Sequence, residues 1–376
     1  MVIHMIIYVF LFFCSPFIFI SVNMNRDSLA KLNYKSYLPI LFLFAICITL
    51  LLGLRDSGGA DDLSYRIFYE KGYGQSKLMG ILPVKEPIFI LFREIGIFLN
   101  LNYKMLFLLY GLATSFFMYE ALKKYINSIY DAIMYVSAYF VIVYSAMFTV
   151  MRQSLAMAII LYIHTLDKKK DKKKYIICWI LAILSHYSAI IPFFIDIILF
   201  LKKKPFNYLL KILIPLVSLF IGYFINFQKI VDIIISPFNG LYSYMSGEEN
   251  FSTEVQHSIV NYVLFLIYII EIVLSNKLLT KKIKEKDLIS EKIETNQMIY
   301  FSLVFLTIKM RWGNRLSLFY ILFLPFLIVN FIKRFRLGKK RWFIYFVIGI
   351  IFGAWFAYIL FANIGLWEYQ WSLIFK

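Results

Sequence analysis

The sequence predicts an all-α fold: a polytopic helical bundle in a membrane, with roughly ten to twelve membrane segments, some of them re-entrant or broken. Three observations predict it. The 376 residues are 61% hydrophobic and only 16% charged, whereas soluble domains average about 45–50% and about 25%. Long apolar runs recur along the chain, and short lysine-rich loops separate them. No stretch is polar enough to fold separately, so we expect residues 1–376 to form a single transmembrane domain.

The apolar runs define ten candidate spans: 1–22, 37–54, 103–122, 129–148, 151–166, 205–226, 258–276, 297–310, 316–332 and 342–363. Residues 1–22 have neither a basic leading segment nor a small-x-small cleavage site, so they are expected to remain as the first span. Residues 86–101 carry three charged side chains and are expected to lie at the interface or to dip into it. Residues 175–201 exceed the length of one span, which predicts a re-entrant hairpin broken near Pro192 or between Ser185 and Ser188.

The positive charge sets the predicted orientation. The formal net charge is +18, and most of it lies in the short loops at 168–174, 202–204, 277–286 and 333–341. Such loops mark the cytoplasmic side of membrane proteins, where they also meet anionic lipid headgroups. This orientation places two outer loops, 55–87 and 227–257, on the opposite side. No nucleic-acid-binding signature accompanies the charge, so nucleic-acid partners are excluded.

The same orientation gathers chemically capable side chains at the non-cytoplasmic face, although none of them was used to set it. They are Arg55, Asp61, Asp62, Arg152, His186, Arg311 and Arg315. Ionisable groups near a bilayer are costly unless they meet water, a partner or a ligand. The sequence therefore predicts one polar site on an otherwise apolar protein, with the two outer loops contributing to it.

Three of these side chains, Arg55, Asp61 and Asp62, belong to the first outer loop. Asp61, Asp62 and the later Glu86 can accept a proton or bind sugar hydroxyls, and Arg55 can bind a phosphate through its planar fork. The alternative is a solvated loop whose charges cap a helix beginning near Asp61.

The remaining groups open helices or interrupt apolar runs. Arg152 precedes Gln153 at a helix N-terminus, where its charge opposes the helix dipole and favours a nearby anion; the alternative is an interfacial arginine. His186 suits acid–base chemistry, or else forms a structural hydrogen bond. Arg311 and Arg315 repel each other at a spacing of four, which an anionic ligand would relieve, unless both are interfacial anchors.

Several kinds of site are not supported. Cys14, Cys47 and Cys178 lie far apart within apolar runs and are expected to be buried thiols. No second histidine stands at ligand spacing from His186, so no metal is expected. Nucleotide-binding glycine motifs and a Gly-x-Ser-x-Gly motif are also missing. We therefore expect no cofactor.

The order of these motifs resembles the EpsG family, which belongs with the Wzy-type polysaccharide polymerases. The resemblance is carried by Arg55, Gly59, Asp61 and Tyr65, by Glu86, by Arg152-Gln153, by His186 with the small residue Ser188, and by Arg315 before Phe319 and Tyr320. It runs from about residue 50 to 325. Asp62 stands where the family usually has an aromatic residue, which leaves Asp61 and Asp62 both open as the reactive carboxylate.

The resemblance implies a bacterial glycosyltransferase of the cytoplasmic (inner) membrane. It would join oligosaccharide repeat units carried on undecaprenyl diphosphate at the periplasmic or extracellular face, making O-antigen, capsule or exopolysaccharide. A chain-length regulator and a flippase are the protein partners it implies. The diphosphate leaving group needs positive charge, for which we assign Arg152, Arg311 and Arg315, with Arg55 as a fourth. Asp62, Tyr65 and Gln153 join them as substrate-binding residues.

The acceptor sugar hydroxyl needs one base. We assign Asp61 first, with His186 and Glu86 as alternatives. Three other functions remain open. They are an O-antigen ligase-like transferase, a membrane acyltransferase that relies on His186, and a flippase or transporter for the same lipid-linked sugar. A transporter would need ionisable groups near the midplane of the bilayer.

Overall fold

The computed structural model describes residues 37–53, 55, 62–72, 86–168, 170–202, 205–225, 227, 259–282, 288–310 and 314–334. All regular elements in these ranges are helical, apart from a single bridge residue at Arg55. The α-helices are α1 Leu38–Gly53, α2 Asp62–Lys71, α3 Pro87–Phe98, α4 Lys104–Tyr125, α5 Ile129–Ile142, α6 Tyr144–Thr149, α7 Met151–Ile163, α8 Lys172–Ser185, α9 Ile190–Leu201, α10 Tyr208–Phe224, α11 Ile259–Lys282, α12 Leu288–Leu306, α13 Asn314–Leu318 and α14 Leu324–Arg334. Short 3-10 turns occupy Tyr187–Ala189 and Ile321–Phe323.

The predicted all-helical class is confirmed for these residues. Most predicted spans coincide with helices, while the predicted spans 1–22 and 342–363 lie outside the described residues. By length and hydropathy, α4 is the one helix in the described ranges that could cross a bilayer by itself. The other apolar helical stretches there, such as Val260–Ser275 within α11, have 10–17 residues. Two predicted spans are interrupted: 129–148 is divided between α5 and α6, and 316–332 contains the turn at Ile321–Phe323.

Small residues allow α1 and α4 to pack closely. A Cβ added to Gly53 would lie 2.9 Å from the Leu108 Cα, and one added to Gly111 would lie 2.9 Å from the Thr49 carbonyl oxygen. The hydroxyls of Thr49 and Ser115 meet across this contact at 2.7 Å. Small residues with a hydrogen bond between them are typical of helix contacts inside membranes, where lipid removes the hydrophobic drive for association.

The bundle has a lysine end, defined here by Lys123, Lys168, Lys211 and Lys292. The Tyr37 hydroxyl donates to the Lys123 carbonyl at 3.4 Å, which places the start of α1 beside the end of α4. The Lys292 ammonium donates to the His164 carbonyl at 2.9 Å, which places the start of α12 beside the end of α7. In both contacts, the start of one helix lies beside the end of another at this end of the bundle.

A buried ionic cluster joins α10 and α12 at this lysine end. The Lys211 ammonium lies 2.6 Å from a Glu294 oxygen and 2.7 Å from a Glu291 oxygen. Lys211 and Glu294 are both buried. Near the other end of the same two helices, Gly222 faces the carbonyl oxygens of Phe305 and Leu306, where a Cβ would collide with the α12 backbone. These contacts hold α10 and α12 together along their lengths.

Helices α8 and α9 form the predicted hairpin. The Lys168 ammonium, just before α8, lies 2.7 Å from an Asp196 oxygen on α9, and the Tyr175 hydroxyl donates to the other oxygen of Asp196. The hairpin therefore has both of its open ends at the lysine end, and its tip at His186 points away from it. The break lies at residues 186–189 and overlaps the predicted Ser185–Ser188 stretch. Pro192 instead falls in the first turn of α9, where a proline is tolerated.

Side chains satisfy the backbone at the turn Ile321–Phe323, which interrupts the predicted span 316–332 just before α14. The Tyr135 hydroxyl donates to the Leu322 carbonyl at 3.0 Å, and the Gln297 amide donates to the Phe323 carbonyl at 2.9 Å. Pro325 follows at the second position of α14, where the missing N–H costs nothing. A broken helix inside an apolar bundle requires such partners for its free carbonyls.

Candidate active site

Three chain segments that are distant in sequence meet at the end opposite the lysines, called here the arginine end. Glu86 stands directly before α3, Arg152 lies in the first turn of α7, and His186 forms the tip of the α8–α9 hairpin. Their side chains make one connected group. The structure therefore brings Arg152 and His186 together, as predicted, and places Glu86, which was named as an alternative base, between them.

Backbone constraints aim Glu86 at this group. The following residue is Pro87, which disfavours helical geometry at the preceding position, and Glu86 is extended with φ −63° and ψ 118°. Its side chain makes no capping hydrogen bond to α3. The carboxylate is thus directed away from its own helix, towards α7 and the hairpin tip.

The Glu86 carboxylate contacts both Arg152 and His186. Its Oε2 accepts from the Arg152 Nη1 at 2.9 Å, and its Oε1 lies 2.7 Å from the His186 Nδ1. An ionised carboxylate only accepts hydrogen bonds, so Nδ1 carries the hydrogen, and a neutral ring then has its lone pair on Nε2. The Glu86 side chain is 2% exposed, whereas Arg152 is 25% and His186 21% exposed. The arginine and the imidazole therefore face outward, with the carboxylate behind them.

Aromatic rings surround the group. The Arg152 Nε donates to the Tyr65 hydroxyl at 3.4 Å, and its guanidinium lies over the rings of Tyr65 and Phe89. The Phe319 ring centroid lies 6.2 Å from that of His186. Tyr65, Phe89 and Phe319 are all buried. They fix the orientations of the cation and the imidazole, but they offer little surface for stacking on a sugar.

Arg55 and Asp62 form a separate ion pair. The Arg55 Nη2 lies 2.7 Å from the Asp62 Oδ1, and the two side chains are 0% and 4% exposed. The Arg55 guanidinium also lies 4.8 Å from the Phe107 ring centroid. Both residues were predicted to bind substrate, but the structure places them inside the protein, where they attach the start of α2 to α4. Helix α2 begins at Asp62, close to the helix start near Asp61 that the sequence predicted.

The start of α7 is also linked to α13. The Gln153 side-chain amide donates to the Arg315 backbone carbonyl, so Arg152 and Arg315 lie at the same end of the bundle, as predicted. Asp61 and Arg311, which were predicted to act as base and as a diphosphate contact, lie outside the described residues. Most of the second outer loop, 227–257, lies outside them too.

Sequence reasoning missed the residues that support α2 and α3. The Arg93 Nε donates to the carbonyls of Phe68 and Tyr69, which lie in the last turn of α2, at 3.1 and 3.0 Å. The Tyr69 hydroxyl donates to the Leu101 carbonyl at 2.7 Å, and burial raises the pKa of Tyr69, which favours this donor form. The only available signal was the amphipathic pattern of residues 86–101, which does not identify a partner.

This arrangement combines two chemical capabilities. An outward-facing guanidinium can bind an anion, and an imidazole oriented by a carboxylate can accept a proton at its second nitrogen.

The model of the EpsG family matches residues 37–371, nearly the whole chain. The chain belongs to the EpsG family. EpsG proteins are Wzy-like polymerases, so the chain is a membrane protein of polysaccharide biosynthesis. No curated protein and no solved structure matches it.

Proposed function

We propose that this EpsG protein is a glycosyltransferase that polymerises oligosaccharide repeat units carried on undecaprenyl diphosphate. The observation that carries the proposal is the sharing of Glu86 between Arg152 and His186. Glycosyl transfer from a lipid diphosphate needs positive charge at the leaving group and a base at the attacking hydroxyl. The shared carboxylate holds one group of each kind side by side.

The reaction follows from these positions. The His186 Nε2 removes the proton of the acceptor sugar hydroxyl while the hydroxyl oxygen bonds to the anomeric carbon of the donor. The bond from that carbon to the diphosphate oxygen breaks, and the electron pair leaves with undecaprenyl diphosphate. Arg152, assisted by Arg315 and Arg311, stabilises the charge that develops there. The proton on the imidazole then passes to the departing product or to water.

This assignment reorders the predicted bases. His186 becomes the first choice because its ring is both oriented by Glu86 and 21% exposed. Glu86 is a positioning residue, since it is 2% exposed and bonded through both oxygens. Asp62 moves away from the chemistry, because Arg55 pairs with it inside the protein. Asp61 remains a candidate for binding the acceptor.

The proposal places the protein in the bacterial cytoplasmic membrane as a bundle of roughly ten to twelve segments, with the arginine end outside. The two-ended arrangement supports this placement, because the lysine-rich loops adjoin one end and basic loops stay in the cytoplasm. Impermeant thiol labelling of intact cells tests it in a chain without its three native cysteines. Tyr187→Cys, beside His186, should react, whereas Lys173→Cys should react only after permeabilisation. The reverse pattern would overturn the placement.

The activity is tested with purified protein in lipid nanodiscs supplied only with undecaprenyl-diphosphate-linked repeat units. The expected result is a ladder of longer glycans with one undecaprenyl diphosphate released per bond formed. Arg152→Ala should abolish the ladder, and Arg66→Ala, which removes an exposed arginine paired with Glu70, should leave it unchanged. A ladder of equal length from the Arg152 variant would contradict the diphosphate assignment. Transfer to a different acceptor without a ladder would indicate a ligase.

A further inference from the structure

We propose that Gln153 positions Arg315, so that Arg315 and Arg152 each bind one phosphate group of the lipid diphosphate. Gln153 thereby favours a diphosphate over a monophosphate at the site without contacting the substrate itself. This inference rests on the proposed function. It replaces the substrate-binding role that the sequence suggested for Gln153 with a positioning role.

Two neighbouring residues in the first turn of α7 have different surroundings. Arg152 is 25% exposed, whereas Gln153 is 2% exposed. Consecutive residues of an α-helix point in directions about 100° apart, because the helix has about 3.6 residues per turn. Arg152 therefore lies on the open side of the site, while Gln153 points into the protein, where a ligand has little access to it.

The buried amide of Gln153 is attached to α13. Its Nε2 donates to the Arg315 backbone carbonyl. Helix α13 has only five residues, Asn314–Leu318, so this carbonyl is among the last four of the helix, which lack a partner within it. Gln153 therefore satisfies a carbonyl at the end of a helix and ties the second residue of α13 to the first turn of α7.

The position of Arg315 depends on contacts of this kind because its helix is so short. Five residues form too few internal hydrogen bonds to stabilise a helix alone, and α13 is held by its contacts with α7 and α12. Arg315 is partly exposed, and the bond from Gln153 fixes the backbone from which its guanidinium extends. Phe319, directly after α13, packs against the His186 ring, so this segment borders the site.

Two cations on separate helices suit a ligand with two anionic groups. A guanidinium binds phosphate oxygens through its planar fork, so Arg152 is sufficient for one phosphate. A second phosphate needs a second cation at a suitable distance from the first. The bond from Gln153, which follows Arg152 directly, sets the place from which α13 presents Arg315. Loss of this bond should therefore affect the second phosphate and not the first.

Calorimetry on the full-length protein in detergent tests the proposal with two probes, farnesyl diphosphate and farnesyl phosphate. Arg315→Ala should lower the affinity for the diphosphate about 10- to 100-fold, as expected for one charged hydrogen-bonding group. Gln153→Met, which removes the donor and fills a similar volume, should lower it by a similar or smaller factor. Both variants should bind farnesyl phosphate nearly as tightly as the wild type, because Arg152 is retained.

The double variant Gln153→Met/Arg315→Ala separates positioning from direct contact. If Gln153 acts through Arg315, its removal has no further effect on binding once the arginine side chain is gone. The double variant should then bind farnesyl diphosphate within about twofold of Arg315→Ala, whereas independent contacts would give losses that multiply. If Gln153→Met does not insert, Gln153→Leu replaces it, because leucine also lacks a donor.

Gln297 provides a matched control. Its buried amide donates to the Phe323 carbonyl at 2.9 Å, at another short interruption of the bundle. Phe323 packs against His164, which lies towards the lysine end. Gln297→Met therefore removes the same kind of hydrogen bond away from the arginine end. It should lower thermal stability about as much as Gln153→Met does, and leave the affinity for both probes unchanged.

The outcomes separate this inference from the proposed function. Losses that multiply in the double variant, wild-type binding by Gln153→Met, or an equal loss of affinity for both probes would overturn the positioning role and leave the proposed function standing. Wild-type affinity for the diphosphate in Arg152→Ala and Arg315→Ala, with normal ladders from both, would overturn the proposed function and the positioning role with it. A loss confined to the diphosphate, and not increased in the double variant, would support both.

Discussion

Removing the Arg152 side chain should affect stability and catalysis separately, and a second substitution can distinguish the two effects. Arg152→Ala leaves the Glu86 carboxylate, 2% exposed, without its cation. Breaking a fully buried ion pair costs about 3–5 kcal/mol. Since the arginine is 25% exposed, water screens the pair, and we expect a loss of about 1–3 kcal/mol.

The double variant Arg152→Ala/Glu86→Gln removes the unpaired charge and should recover most of this stability, because neutral replacement of both partners avoids burying a lone ion. Its activity should not recover. Loss of a group that stabilises transition-state charge typically lowers the rate about 100- to 1000-fold. Thermal unfolding in detergent measures the first quantity, and ladder formation in nanodiscs, per molecule of folded protein, measures the second.

Recovery of both stability and activity in the double variant would refute this reasoning. If the double variant regains both thermal stability and polymerisation, the Arg152–Glu86 pair is only a structural ion pair. Arg152→Lys provides an independent check. It retains a charge for Glu86 and so most of the stability, but one ammonium cannot reproduce the fork that reaches Tyr65 and Glu86 together. Its rate should therefore fall well below that of the wild type.

Further predictions concern the rest of the chain. Arg315→Ala should leave cells with single lipid-linked repeat units and no long chains, while membrane insertion measured by immunoblot stays normal. Asp62→Asn should lower thermal stability by about 3–5 kcal/mol, because Arg55 would be buried without its counter-charge; unchanged unfolding would contradict this pairing. Gly222→Ala should cost about 1–3 kcal/mol through collision with α12, with no change in rate per folded molecule. Chelation by EDTA should leave nanodisc activity intact, since guanidinium groups supply the positive charge.

The sequence was most informative about helices and about the two ends of the bundle. Apolar runs translate directly into helices, so the predicted 37–54, 103–122 and 151–166 appear as α1, α4 and α7 with ends shifted by a few residues. Charged residues at the ends of those runs fix the levels at which they emerge. This is why the convergence of Arg152, His186 and Arg315 could be predicted without any contact being known.

The sequence could not predict which side chain each carboxylate contacts, because that depends on tertiary geometry. Asp61, Asp62 and Glu86 are equivalent as carboxylates, and no local pattern shows that Arg55 takes Asp62 while Glu86 reaches His186, 100 residues away. Helix breaks were also hard to place. Pro192 was as good a candidate as residues 185–188 for the hairpin tip, but a proline in a first helical turn has no hydrogen bond to lose.

Solvent exposure distinguishes the two groups of charged side chains at the arginine end, the Arg55–Asp62 pair and Glu86 with its two partners. Arg55 and Asp62 are 0% and 4% exposed, so neither can reach a substrate, and their contribution is to hold α2 in place. Glu86 is buried to a similar degree, yet both of its partners remain more than one-fifth exposed. Partial exposure of the cation alone does not distinguish a site from a structural pair, since Lys168 is 23% exposed beside the buried Asp196. A pair that only joins helices needs no exposed base beside it. A site must instead leave its cation and its base accessible while burying the group that orients them, and this is the arrangement found around Glu86.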